Sequence, residues 1–177
     1  MLKSFALQCR ERNIPFYLIG DKASPEQFSL EGCDFYGLDR QRELDFGLAG
    51  LLPEKHYGRK NIGYLLAMRS KADIILETDD DNFPRAGFWA ERRVRQTAHA
   101  LSENSWTNVY AYFTRARIWP RGFSLEHLHQ ALSPLDEFPV VENHCPIQQG
   151  LADENPDVDA IYRLILPLPI CFDGDVS

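Results

Sequence analysis

The stretch Gly58–Pro84, GRKNIGYLLAMRSKADIILETDDDNFP, decides how the chain reads. Ile62, Leu65 and Leu66 recur at i, i+3, i+4, so Arg59–Ser70 is expected to form a helix with one apolar face. Ile74-Ile75-Leu76 is an unbroken aliphatic run, the pattern of a central strand covered on both faces. Asp79, Asp80 and Asp81 follow where that strand should end, and open α/β sheets bind their ligands beyond the carboxyl ends of the strands. Three adjacent carboxylates repel one another unless a cation or a solvated loop relieves them. Their hard oxygens suit Mg2+ or Mn2+, ions that usually arrive with substrate phosphates. Without a ligand, the same residues read as a polar turn completed by Asn82 and Pro84.

Upstream, Arg59 and Lys60 open the helix beside His56 and Tyr57. Cations are disfavoured at a helix N-terminus, which itself attracts anions, so two of them together point to an anionic ligand. The plain alternative is that both side chains simply reach into water. Taken together, the two ends of the stretch suggest a cation–diphosphate site.

The run Glu54–Asn82, EKHYGRKNIGYLLAMRSKADIILETDDDN, resembles the core of the STELLO glycosyltransferase-like family. More broadly it resembles the nucleotide-sugar-binding half of GT-A glycosyltransferases. The blocks IPFYLIGD at 14–21, WPRGF at 119–123 and CPIQQGLADENPDVDAIYRL at 145–164 share the likeness, which thus covers most of the chain. The resemblance implies an α/β fold: an open, mainly parallel, Rossmann-like sheet with flanking helices. It also implies a metal-dependent hexosyl- or pentosyltransferase whose D-x-D motif holds Mn2+ or Mg2+ on the diphosphate of a UDP-sugar. On that reading Asp79 and Asp81 bind the metal, with Asp80 as an alternate. Arg59, Lys60, Asn61, Asp79 and Asp80 would contact the nucleotide, and Asp157 and Asp159 would lie near the sugar or its acceptor as catalytic groups. The acceptor, whether glycan, lipid or protein, cannot be read. The alternatives are a catalytically inactive glycosyltransferase-like scaffold that binds protein partners, and Mg2+-dependent phosphoryl or nucleotidyl transfer. The second lacks both a P-loop and a haloacid-dehalogenase pattern.

The 177 residues, 44% hydrophobic and 12% aromatic, suit one domain with a real core: residues 1–82 as the nucleotide-binding half, 83–177 as the acceptor-side half. A net charge of −7 argues against a nucleic-acid surface. Cys9, Cys33, Cys145 and Cys171 form no C-x-x-C pair, so free thiols are expected. No apolar run is long enough to span a membrane, which places the chain as given in the cytoplasm, or in the Golgi lumen if an N-terminal anchor precedes it.

In order, Leu2, Phe5, Ala6 and Cys9 mark a first helix, and Phe16–Ile19 and Cys33–Gly37 mark strands. Asp39–Gly50 should be a broken helix. A parallel sheet normally starts with a strand, so the fold is expected to lack its first one and to be incomplete, with an exposed edge that invites self-association. Gly63 inside the main helix suggests close packing on a strand. Phe88 and Trp89 are expected against the sheet, Glu91–Leu101 as helix and Trp106–Thr114 as strand. Trp119-Pro120-Arg121-Gly122-Phe123 is a rigid aromatic turn whose Arg121 meets a phosphate or a carboxylate. Ser124 should cap a helix to Leu132, a short strand should lie at Pro139–Val141, and Asp157 should cap a last helix over Val158–Ile165. Asp157 and Asp159 also read simply as carboxylates favoured by that helix's dipole.

Overall fold

Phe5, Ala6 and Cys9 line one face of a helix, α1 (Leu2–Glu11), and are buried on it. This is a computed structural model, and it describes residues 1–102, 105–165 and 169–172. The chain divides into two compact units, Met1–Trp89 and Ala90–Ser177.

In the first unit α1 ends where Asn13 takes a left-handed φ of 54°. The Ile14 amide then returns to the Cys9 carbonyl at 2.9 Å and the Asn13 amide to Arg10, satisfying carbonyls the helix would leave open. β1 (Tyr17–Ile19) follows and pairs in parallel with β2 (Asp34–Tyr36), Leu18 opposite Phe35. A short α2 (Leu38–Arg42) leads through a loop to a single 3-10 turn over Tyr57–Lys60, which runs straight into α3 (Asn61–Arg69). Ile62 and Leu66 of α3 join Tyr36 and Ala49 in the core, with Tyr17, Ile19, Leu44, Phe46 and Leu52 packed around them. A fully buried side chain such as Ile62 contributes about 1.5–3 kcal/mol by leaving water. Gly63 lies so close to β1 that a Cβ there would stand 3.2 Å from Ile19 Cγ1. The packing reading of that glycine therefore holds. Phe88 and Trp89 pack on Phe5 of α1, with ring centroids 5.4 and 6.3 Å away.

The expected central strand is not there. Residues 74–76 are neither strand nor helix, and Ile74, Ile75 and Leu76 are exposed. A strand exists through its ladder, and β-branched residues without a neighbouring strand do not make one. The first 81 residues thus read α-β-β-α-α, without the closing strand.

In the second unit β3 (Arg95–His99) and β4 (Val140–His144) form an antiparallel pair, Thr97 opposite Glu142. The helix expected over Glu91–Leu101 is thus a strand, because its partner lies far along the chain where local periodicity cannot see it. Trp106–Thr114 is not a strand: Val109–Tyr112 is one 3-10 turn that sends Tyr110 onto the Ile118, Val158 and Ile170 core. Of the helix expected after Ser124 only a 3-10 turn, Leu125–His127, forms, and the Ser124 side chain does not cap it. The described residues are therefore mixed α/β, with one short parallel and one short antiparallel sheet. The helix expected last, over Val158–Ile165, lies wholly within the described residues.

That last helix is α4 (Ala160–Arg163), and its cap is Asp159, not Asp157. Asp159 Oδ1 accepts from the amides of Ile161 at 2.8 Å and Tyr162 at 3.3 Å. Asp157 instead accepts from Arg121 Nε at 2.7 Å. Asp159→Ala should therefore lower the unfolding free energy by about 1 kcal/mol, the usual worth of an N-cap. Asp157→Ala should cost less, because Arg121 is 73% exposed and water screens the pair. Urea midpoints of the two variants check this; an Asp157 variant that is the less stable would reverse the assignment.

Candidate functional site

The carboxyl end of β1 is Gly20-Asp21, and Asp21 organises the approach to the site. Its Oδ1 accepts from the amides of Lys22 at 2.7 Å and Lys55 at 2.9 Å, and its Oδ2 from that of His56 at 3.0 Å. Lys55 takes a φ of 52° to present its amide. Burial pushes the Asp21 carboxyl up, but the three amides and the Arg59 charge outweigh it and hold it below its ordinary value. A depressed carboxyl contributes stability that is present above the ordinary aspartate value of about 3.9 and lost as pH falls through the lowered one. Asp21→Asn should therefore be less stable than the parent at pH 7 and show a flatter fall in stability below about pH 4. Parallel stability–pH curves for the two chains would refute that role.

From His56 the chain enters the 3-10 turn, with His56 Nδ1 accepting from the Gly58 amide at 3.0 Å. Neighbouring residues on so tight a turn point in different directions, and Arg59 and Lys60 part company here. Arg59 turns inward and is 5% exposed. Its Nε and Nη2 both donate to Gln41 Oε1, at 3.0 and 2.7 Å, and its Nη1 donates to the Leu52 and Pro53 carbonyls. Gln41 is itself fully buried and donates to the carbonyls of Gly20 at 2.7 Å and Tyr36 at 2.6 Å. Arg59 thus ties β1, β2, α2 and the following loop together. It does not stand beside Lys60 toward an outside anion, as the paired-cation reading expected.

Lys60 turns the other way. Its ammonium donates to Glu77 Oε1 and Tyr57 Oη, and to Asp79 Oδ1 at 3.1 Å, and lies 3.8 Å from the centre of the Tyr57 ring. Tyr64 Oη donates to the other Glu77 oxygen at 2.7 Å. Burial alone would lower the Lys60 pKa, but its bonds to Glu77, Tyr57 and Asp79 outweigh that and raise it. Burial also raises Glu77, and Lys60 and Tyr64 reverse this and bring it down. Tyr64 is pushed up to about 12, by burial first and its bond to Glu77 second. At neutral pH the cluster holds one ammonium between two carboxylates. Glu77 and Tyr64 escaped the sequence reading, which set only Tyr57 beside Lys60, although Tyr57, Lys60 and Tyr64 stand three and four apart, the spacing of one helical face.

Lys60 therefore fastens the first acid of the Asp79-Asp80-Asp81 turn to the start of α3. Asp80 and Asp81 follow as exposed residues, and Asn61 is exposed at the first position of α3. Asn82 donates its side-chain amide to Thr78 Oγ1 at 3.3 Å, closing the turn. Among the described residues no three Asp, Glu, His or Cys side chains converge to hold a metal by themselves. What the turn offers is exposed carboxylate oxygen. That donor set fits Mg2+ or Mn2+ when water and phosphate oxygens supply the remaining positions.

In the second unit Asp157 and Asp159 serve the ion pair and the helix cap already described. Arg121 meets a carboxylate, one of the two partners expected for it.

Two curated proteins of Arabidopsis thaliana match the chain. It is 30% identical over 157 residues to "Probable glycosyltransferase STELLO2" and 29% identical over 157 residues to "Probable glycosyltransferase STELLO1", each match covering 81% of this chain. The chain is STELLO-like. The STELLO-like chain spans about a fifth of the length of the relatives it matches, 20% of each. No protein-family model matches it, and no solved structure does. Among its described residues no helix is long and apolar enough to cross a membrane, and all four cysteines are free.

Proposed function

We propose that this chain is the nucleotide-sugar-binding part of a metal-dependent glycosyltransferase of the GT-A type. The observation that carries the proposal is the Lys60–Asp79 contact, 3.1 Å long, which fixes the start of an exposed acidic turn. The likeness to proteins named as probable glycosyltransferases supports the same class.

In this reading Asp79 and Asp81 hold Mn2+ or Mg2+, with Asp80 as the alternate, and the donor is a UDP-sugar. The ion, when bound, neutralises the leaving diphosphate. Lys60 holds Asp79 in place and adds a positive charge beside the turn, while Glu77 and Tyr64 hold Lys60. Asn61, exposed one residue on, is free to meet the nucleotide. Arg59 is left out of the contact set because its side chain is committed to Gln41 and the 52–53 carbonyls. Asp157 and Asp159 are left out as catalytic groups because each already has a structural partner. The acceptor is a glycan, a lipid or a protein.

A second reading, an inactive scaffold that binds protein partners, draws on one observation: the Lys60 charge is already met by Glu77 and Asp79. Calorimetric titration of UDP, with and without Mn2+, separates the two. Binding that requires the metal, and that is stronger for UDP than for uridine, is the expected result. A folded chain that takes up no UDP in either condition rejects the donor-site proposal and favours the scaffold.

A further inference from the structure

Two cysteines, Cys9 on α1 and Cys33 just before β2, are set where that helix meets the start of that strand. Between them Gly32 lies so close to α1 that a Cβ there would stand 2.7 Å from the Ala6 carbonyl oxygen and 3.4 Å from Arg10 Cβ. Its φ of 81° is one that glycine adopts freely, so the close approach is built into the chain. Arg10 also pairs with Glu31, the residue before it. Ala6 and Arg10 stand one turn apart on α1, and Cys9, three residues after Ala6, borders the line they form. Beyond Gly32, the Cys33 amide donates to the Leu30 carbonyl at 3.0 Å and the Asp34 amide to the Phe16 carbonyl at 2.8 Å. Cys33 is therefore pinned between α1 and the start of β1.

Both thiols are free in this structure, and they differ in access. Cys9 is 5% exposed, whereas Cys33 is half-buried and lines a concave site of about 500 Å3 with Arg10, Asn13, Ile14 and Phe16. That lies within the ~300–1,000 Å3 range of small-molecule sites, so a small reagent can reach Cys33. Burial pushes the Cys33 thiol up to about 11, with the Asp34 charge and then Cys9 adding to the rise, so the two sulfurs lie within electrostatic reach of each other. Burial raises Cys9 as well, against the Arg12 charge. Thiols held this high are seldom ionised near neutral pH. The chemistry they support is a bond made slowly and then kept.

We propose that Cys9 and Cys33 are a disulfide site, closed by a small-molecule disulfide of the glutathione type that enters at Cys33. The Cys33 thiolate attacks one sulfur of the oxidant and expels the other as a thiolate, leaving a mixed disulfide. The Cys9 thiolate then attacks the Cys33 sulfur and expels the second small thiolate. Each cysteine gives up one proton, and the two electrons leave on the oxidant, which ends as two thiols. The closed bond ties α1 to β2. The site lies at the amino ends of β1 and β2, away from the Gly20-Asp21 end, and shares no residue with the acidic turn. It stands whether or not that turn binds a nucleotide.

The 177-residue chain carrying Cys145→Ser and Cys171→Ser keeps only this pair of thiols. Incubated with oxidised glutathione at about pH 8.5, where more thiolate is present, it should lose two hydrogens by intact mass. Peptide mapping should then join Cys9 to Cys33. The oxidised chain should melt about 5–15 °C above the reduced one, and dithiothreitol should abolish the difference. On the same background Cys9→Ala should stop with one glutathione on Cys33, whereas Cys33→Ser should take up none, because the remaining thiol is buried. The proposal falls if the folded chain keeps both thiols, or if it stops at the mixed disulfide as Cys9→Ala does. It falls also if the bond forms without raising the melting temperature, or if Cys33→Ser is the variant that takes up glutathione, since that reverses the point of entry.

Discussion

Replacing Gln41 by Leu should cost the chain about 3–5 kcal/mol, the loss expected when a buried charge is stripped of its partner. Leucine fills nearly the same space, so packing is not the cause. The carbonyls of Gly20 and Tyr36 lose their donor, and Arg59 loses the oxygen that accepts two of its N–H groups. Replacing both partners, Gln41→Leu with Arg59→Met, should cost less than the sum of the single changes, because the second removes the charge that the first has orphaned. Arg59→Lys should not rescue, since an ammonium cannot span Gln41 and the Leu52 carbonyl as a planar guanidinium does. Urea unfolding with an unchanged m-value measures all four chains. A Gln41→Leu variant within 1 kcal/mol of the parent, roughly the worth of one ordinary hydrogen bond, would show that the network is not what holds this region.

Asp81→Ala should leave the fold intact and weaken Mn2+-dependent UDP binding by more than about 100-fold. Groups that only support a metal ligand are worth roughly 10–100-fold, and a ligand itself should exceed them. The side chain is exposed, so the loss is of charge at the turn and not of core. Lys60→Met should give an intermediate loss: it releases Asp79 and Glu77 from their shared cation but removes no metal donor. Unchanged UDP affinity of Asp81→Ala, with metal present and the circular dichroism spectrum unaltered, would reject the site. An equal loss for uridine would locate the defect in the fold instead.

What the sequence made legible is what local pattern decides. The apolar stripe of α1, the runs that become β1 and β2, the apolar face of α3 and the close approach at Gly63 all follow from spacing within a few residues. The misread elements depend on distant partners. Arg95–His99 is a strand because Val140–His144 lies beside it, and Ile74–Leu76 is not one because no described strand does. The site divided along the same line. The acidic turn and Lys60 stand out by charge alone. That Arg59 faces inward depends on Gln41, eighteen residues earlier, whose buried amide carries no mark in the sequence. Asp157 and Asp159 stand two residues apart at the start of one helix, and either pattern permits a cap; the backbone geometry gives it to Asp159.

The Arg59 and Asp21 contacts have a consequence for how the chain tolerates damage. The segment from Glu43 to Leu51 is held at both of its ends. Gln41 and Ala49 are buried on one side, while on the other Arg59 grips the Leu52 and Pro53 carbonyls and Asp21 the Lys55 and His56 amides. Leu51, 80% exposed, sits between these anchors and is the natural target for a protease. A backbone cut there frees neither end. The nicked halves should stay clasped under native conditions and separate only when the chain unfolds, so the same position should tolerate an inserted tag.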